Sequence, residues 1–284
     1  MNTSDYIFYI IIIISVLYLF VYIAYSINPG KVDIITLDKS EYLKFVPSRY
    51  TLPFRLVNKQ NIHNYIHNIK YPIIFKPNIC SAHGHDVKLI NNKREVYNYL
   101  NKAKTKNITM MQNFYNGRYE VAVLYERMPY NKNGKIISIV EKIQKNKTNK
   151  WYPLSGVSLK YIQIENLNRP EWITSKFNKI IDKISKNIPD FYVGRYDIKF
   201  NNIKDLNNGI NFKIVEVNGS GGVDLRTYTN IGSFKKNVYH YRWLLVRFWI
   251  GFVNLITFNT INPIKLLSII ILSIYRVNLC NLKF

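Results

Sequence analysis

The sequence predicts an α+β domain whose main sheet is antiparallel or mixed, preceded by one strongly apolar amino-terminal segment. Three observations predict it. Short β-rich runs alternate with helical patterns, without an internal repeat. Asn116-Gly117 and Asn133-Gly134 separate runs of alternating polarity, which is the signal of hairpins. Residues 6–27 contain no charged side chain at all.

In chain order, Asp38 precedes a short helical pattern, and residues 71–77 read as an apolar strand ending at Lys76-Pro77. Residues 87–90 form a further strand, and 93–102 space Val96, Tyr97 and Leu100 as a helix does. Residues 108–112, 119–127 and 135–143 are strands. Residues 171–187 carry Trp172, Phe177, Ile181 and Ile184 on one helical face. Residues 191–200 and 211–217 read as paired strands joined by a polar loop, 201–209. The apolar runs 243–258 and 266–275 are short or interrupted for spanning helices. They are expected to pack on the core, with a place in the membrane interface as second reading. The division that follows is an amino-terminal anchor (1–30), a body (31–240) and a carboxy-terminal apolar region (241–284).

Residues 6–27 would extend roughly 30 Å as a helix, the thickness of a bilayer's hydrocarbon core. A single spanning helix is the expectation, with a cleaved signal peptide as runner-up because Ala24-Tyr25-Ser26 resembles a cleavage site. Pro29-Gly30 ends the segment. All Lys and Arg residues follow Gly30, so the positive-inside tendency places the body on the cytosolic side of a single-pass membrane protein. The formal charge of +23, from 40 Lys+Arg against 17 Asp+Glu, suggests an anionic partner. Abundant Ile, Asn, Lys and Tyr make biased residue usage a competing source of that charge. The basic residues are scattered rather than set on a recognition helix, which argues against nucleic acid. Two cysteines, Cys80 and Cys280, exclude a disulfide scaffold.

Two strand ends carry chemistry. Arg195-x-Asp197 and Glu216-x-Asn218 each place two polar residues on one face of a strand. If the strands pair, two carboxylates and a carboxamide converge beside an arginine, a set of oxygen donors that suits Mg²⁺. A surface ion pair for Arg195 and a turn-forming role for Asn218 are the bland alternatives. Lys76 ends an apolar strand, where a phosphate would satisfy its ammonium, and Lys39 is a second candidate phosphate contact. His63 and His67 stand four residues apart but lack an acidic or cysteine companion, and an exposed helix face accounts for them.

The ordered set FKP at 75–77, a loop holding Gly84, QNFYNGRYE at 112–120, GRYDIKF at 194–200 and IVEVNG at 214–219 resembles the ATP-grasp superfamily, which includes D-alanine-D-alanine ligase. The likeness spans residues 38–222. Within it, Tyr125, Arg127, Pro129, Gly134, Ser138, Ile139 and Lys142 match proteins of that superfamily described as carboxylate-amine ligases. The chain departs from them in carrying a single glycine in the loop 80–86, in reading GSGGVDL after Asn218, and in lacking a full domain before Tyr50.

The resemblance implies two α+β subdomains gripping ATP. Lys39 and Lys76 would bind the phosphates under the loop around Gly84. Gln112 and Asn113 would meet adenine at the hinge, and Glu120 the ribose. Asp197, Glu216 and Asn218 would hold one or two Mg²⁺, or Mn²⁺. Arg195 would act with Lys76 as a catalytic residue by stabilising the transferred phosphoryl group, and Arg127 and Lys142 would contact phosphate or a carboxylate substrate. The implied activity is ATP-dependent joining of a small carboxylate to an amine through an acyl phosphate. A non-catalytic Mg-ATP-binding membrane module and a small-molecule kinase are the alternatives.

Overall fold

The computed structural model describes residues 38–79, 84–102, 108–145, 151, 153–154, 163–219 and 221–257, together with 6, 9–13, 15–16, 27–28 and 31–32. Two antiparallel sheets, each with its own core, carry the body. The smaller contains β1 (Phe54–Val57), β2 (Ile73–Pro77), β3 (Lys88–Ile90) and β4 (Thr109–Asn113), in the spatial order β1-β4-β2-β3. The larger contains β5 (Tyr119–Glu126), β6 (Lys135–Gln144), β7 (Ile164–Asn168), β8 (Val193–Phe200) and β9 (Phe212–Asn218), in the order β9-β8-β5-β6-β7.

Helix α1 (Lys39–Leu43) follows Asp38, whose carboxylate accepts from the backbone of Ser40 and Glu41. Asn78, just past β2, donates from Nδ2 to Asp38 and accepts from the Ser40 amide, so α1 is tied to the end of the strand that carries Lys76. Helix α2 (Lys93–Lys102) begins with a reciprocal cap: Glu95 N–H donates to Asn92 Oδ1, and Asn92 Nδ2 donates to Glu95. It lays Val96 and Leu100 against Phe75 and Met111 of the small sheet. Helix α3 (Ser175–Asn187), capped by Thr174, buries Phe177, Ile181 and Ile184 at helical spacing against the large sheet. The helix expected over 171–187 is therefore two pieces, a 3₁₀ turn Pro170–Trp172 and then α3. The break falls where Ile173 turns extended before the Thr174 cap.

Three further expectations change in detail. His63 and His67 sit on two successive 3₁₀ turns, Ile62–Asn64 and Ile66–Asn68, and both are exposed. The loop between β8 and β9 contains a short helix, α4 (Ile203–Asn207), because the Asn202 side chain accepts from the Lys204 amide and starts it. Helix α5 (Ser233–Thr257) runs unbroken through the boundary drawn at 240/241. It buries Trp243, Arg247, Ile250, Val253 and Asn254.

Of the segment 6–27, only 6, 9–13, 15–16 and 27 are described, and 6, 9–13 and 15–16 are helical and exposed. No helix among the described residues is long and apolar enough to cross a membrane. The run 266–275, Cys80, His83 and Cys280 lie outside the described residues.

Gly194 shows how tightly β8 and β9 are fitted. A Cβ there would stand 2.3 Å from Phe191 Cζ and 2.6 Å from the Asn218 carbonyl oxygen. Gly194→Ala is expected to destabilise by roughly 1–3 kcal/mol in a denaturant titration. Gly232→Ala, with nothing within 4 Å, provides the comparison and should stay close to the parent.

Candidate functional site

The site begins with strand periodicity. Tyr196, Ile198 and Phe200 of β8 enter the main core, so Arg195, Asp197 and Lys199 point to the opposite face. On β5, Val121, Val123 and Tyr125 are core residues, which leaves Glu120 on that same opposite face, paired in register with Lys199. Strand β9 carries one residue too many for strict alternation. Ile198 pairs with Ile214, and Asp197 pairs with Glu216, so Val215 is a bulge. The bulge lets Ile214 remain in the core while Glu216 and Asn218 turn outward beside Asp197 and Arg195.

The small sheet faces this row. Ile74 pairs with Gln112 and Lys76 with Met110, and the Lys76 ammonium crosses between the sheets. It donates to Gln112 Oε1 at 2.9 Å and to the carbonyl oxygen of the bulged Val215 at 2.9 Å. Between the sheets lies a cavity of about 250 Å³. Lys39, Lys76, Gln112, Asn113, Glu120, Arg195, Asp197, Glu216 and Asn218, all singled out from sequence, line it, as does Gly84. Lys199, Trp151, Tyr228 and the 221–223 backbone also line it, and sequence reading missed them. Extending the Arg195-x-Asp197 alternation by one step would have found Lys199.

Five cations, Lys39, Lys76, Lys142, Lys199 and Arg195, stand among three carboxylates, Glu120, Asp197 and Glu216, at or just behind the cavity wall among the described residues. Lys142 Nζ bridges Glu120 Oε1 at 2.5 Å and Asp197 Oδ2 at 3.4 Å, and it donates to the Leu154 carbonyl. Lys199 meets Glu120 at 2.9 Å, Arg195 Nε meets Asp197 at 3.1 Å, and Lys39 meets Glu216 at 3.7 Å. Burial alone would push Asp197 upward, but Arg195 and Lys142 hold its carboxyl below the usual carboxylate range. Glu120, equally buried, is held down by Lys142 and Lys199. For Lys142 burial opposes the charge, and Asp197 and Glu120 outweigh it, so its ammonium is held above the ordinary value. Burial dominates at Lys76 and lowers it to about 8, against the pull of Glu216.

One sequence candidate falls elsewhere. Arg127 follows the end of β5 away from the cavity, where its guanidinium donates to the Phe191 carbonyl and lies 4.4 Å from the centre of the Tyr192 ring. The backbone hydrogen bond from Arg127 N–H to the Tyr192 carbonyl holds it there. Lys142 is at the site, but its ammonium is occupied by two carboxylates rather than open to solvent.

The donor set fits Mg²⁺. Two carboxylates and a carboxamide share one sheet face, and such an ion completes its shell with water and phosphate oxygens. Among the described residues no three His, Cys, Asp or Glu side chains gather as a closed metal cage. Asn218 Nδ2 and Gln112 Nε2 are buried without a hydrogen-bond partner at the cavity, two donors available to a ligand there.

The far wall depends on α5. Trp243 Nε1 donates to the Gly222 carbonyl at 2.9 Å, and Arg242 grips the buried Glu126 carboxylate with two hydrogen bonds. Asp224, fully buried, accepts from Ser138 Oγ and from the Arg226 side chain and amide. These contacts pin the 221–226 segment over the sheet.

Fold and site together define a two-sheet clasp around a cation-rich cavity. The chain is similar to N5-carboxyaminoimidazole synthase from Aspergillus clavatus in complex with ADP and 5-aminoimidazole ribonucleotide, at 12% identity and TM-score 0.46, covering 74% of this chain and 52% of that one. It is also similar to VanG D-Ala:D-Ser ligase from Enterococcus faecalis, at 16% identity and TM-score 0.47, over 75% and 60% of the two chains. For D-alanine–D-alanine ligase from Bacillus anthracis the values are 17%, 0.49, 75% and 66%. The chain thus spans between half and two thirds of the length of these three structures. No protein-family model matches it, and no curated protein matches it in sequence.

Proposed function

We propose that the chain is an ATP-grasp ligase that activates a small carboxylate with ATP and joins it to an amine. The observation that carries this reading is the pairing of Arg195-x-Asp197 with Glu216-x-Asn218 on one sheet face, opposite the buried Lys76 of the other sheet. Lys39 and Lys76 neutralise the phosphates, and the surplus of cations over carboxylates leaves room for a polyanion. Asp197, Glu216 and Asn218 would hold one or two Mg²⁺, which would supply withdrawal of charge from the phosphates. Gln112 Nε2 and Asn218 Nδ2 donate to bound ligand. Arg195, fixed by its bond to Asp197, steadies negative charge on the phosphoryl group as it passes to the substrate carboxylate. The amine then attacks the acyl phosphate, and phosphate leaves. The protein's own contribution is positioning and electrostatic stabilisation rather than covalent chemistry.

From the sequence of residues 6–27 we place this body on the cytosolic face of a membrane. The purified full chain is expected to bind ATP only with Mg²⁺ and to release ADP when pools of amino acids and small carboxylates are supplied. Absence of Mg-ATP binding defeats the ligase reading. Binding without ADP release on any pool favours the non-catalytic module.

A further inference from the structure

We propose that the outward face of α5 is a second membrane contact, a surface that lies in the interface of an anionic phospholipid bilayer. Phe234, Val238, Tyr241, Leu245 and Trp249 follow one another at spacings of three and four residues, so they form a single stripe along the helix. All five are exposed, Phe234 by 80%, Leu245 by 66% and Tyr241 by 61%. Phe252 continues the stripe, with Trp249 and Phe248 stacked against it at centroid distances of 5.6 and 6.0 Å. The opposite side of the same helix already covers the body through Trp243, Ile250 and Val253. A helix apolar on both sides has a second apolar environment to meet, and a stripe of this size in water marks an interaction surface.

Charge and composition select the occupant. After Asp224 the chain contains no Asp or Glu, whereas α5 carries Lys235 and Lys236 at its start. The continuation 258–284 adds Lys265, Arg276 and Lys283. Aromatic residues dominate the stripe, as they do in side chains that settle at headgroup depth. Helix α5 also packs against the short strand Ile27–Asn28, which directly follows the uncharged segment in the sequence. The helix therefore lies beside the point where that segment joins the body. A second copy of the chain is the competing occupant, but this stretch, with Lys and Arg and no Asp or Glu after Asp224, offers a copy of itself no opposite charge. The inference is independent of the nucleotide reading.

The test uses the full chain with vesicles of phosphatidylcholine alone or mixed with phosphatidylserine, some made with brominated acyl chains that quench tryptophan. Residues 6–27 contain no tryptophan, so their insertion leaves this signal untouched. Quenching is expected in the wild type and is expected to fall sharply in Trp249→Phe, which keeps Trp151, Trp172 and Trp243. Lys235→Gln and Lys236→Gln should each weaken the phosphatidylserine-dependent part of the quenching by about fivefold. Leu245→Glu should abolish the quenching while Mg-ATP binding stays unchanged. Equal quenching of Trp249→Phe and wild type overturns the proposal. So does a lipid-free dimer that Leu245→Glu dissociates, which assigns the face to a second copy.

Discussion

Asp197→Asn is expected to lower Mg²⁺-dependent ADP release by about 10²- to 10³-fold while the chain stays folded. Asparagine matches the shape of aspartate, so the packing of β8 is kept, but one of the two carboxylates proposed to hold metal loses its charge. Arg195 and Lys142, which both pair with Asp197, then face a neutral amide. A rate within about threefold of wild type, with an unchanged melting curve, would remove Asp197 from the proposed metal site. Chelating Mg²⁺ from the wild type should reproduce the loss.

Lys76→Met is expected to weaken ATP binding by roughly 10- to 100-fold, the range for loss of a charge-assisted hydrogen bond. This lysine also sets a pH dependence. Burial lowers its ammonium to about 8, and nucleotide phosphates prefer the protonated form. Affinity should therefore be level below pH 8 and fall above it, by up to about tenfold per unit while the free amine is neutral. In Lys76→Met that decline should disappear. A wild-type affinity that stays level from pH 7 to pH 10, measured by calorimetry, would mean that Lys76 does not meet the phosphates.

Much of this arrangement is legible in the residues themselves. The alternation in GRYDIKF places Arg195 and Asp197 together, and the structure keeps them so at 3.1 Å. The helix bearing Phe177, Ile181 and Ile184 follows from its spacing alone. What sequence cannot display is partnership between distant strands. Lys142 reads as a free cation, yet it is committed to Glu120 and Asp197, 22 and 55 residues away in the chain. Arg127 reads as a contact to phosphate or to a carboxylate substrate because it sits in a stretch that resembles the carboxylate-amine ligases, but the β5 end that carries it points to Tyr192. Trp151 lines the cavity from a stretch of sequence that has no periodicity to read. Helix α5 crosses the assumed boundary at 240/241 because neither glycine nor proline interrupts residues 233–250.

The bulge at Val215 makes the length of β9 as consequential as its composition. Removing that one residue would let Glu216 follow Ile214 directly in the alternation, so Glu216 and Asn218 would keep the outward face and Val217 its place in the core, while the carbonyl that accepts from Lys76 would be lost. The buried Lys76 ammonium would then keep Gln112 Oε1 and lose its hydrogen bond across to the large sheet. Point substitutions at Val215 should be well tolerated so long as the carbonyl that Lys76 grips stays in place. A deletion there should therefore leave the fold in place and weaken the tie between the two sheets. Val215 thus joins one sheet to the other through its main chain rather than its side chain.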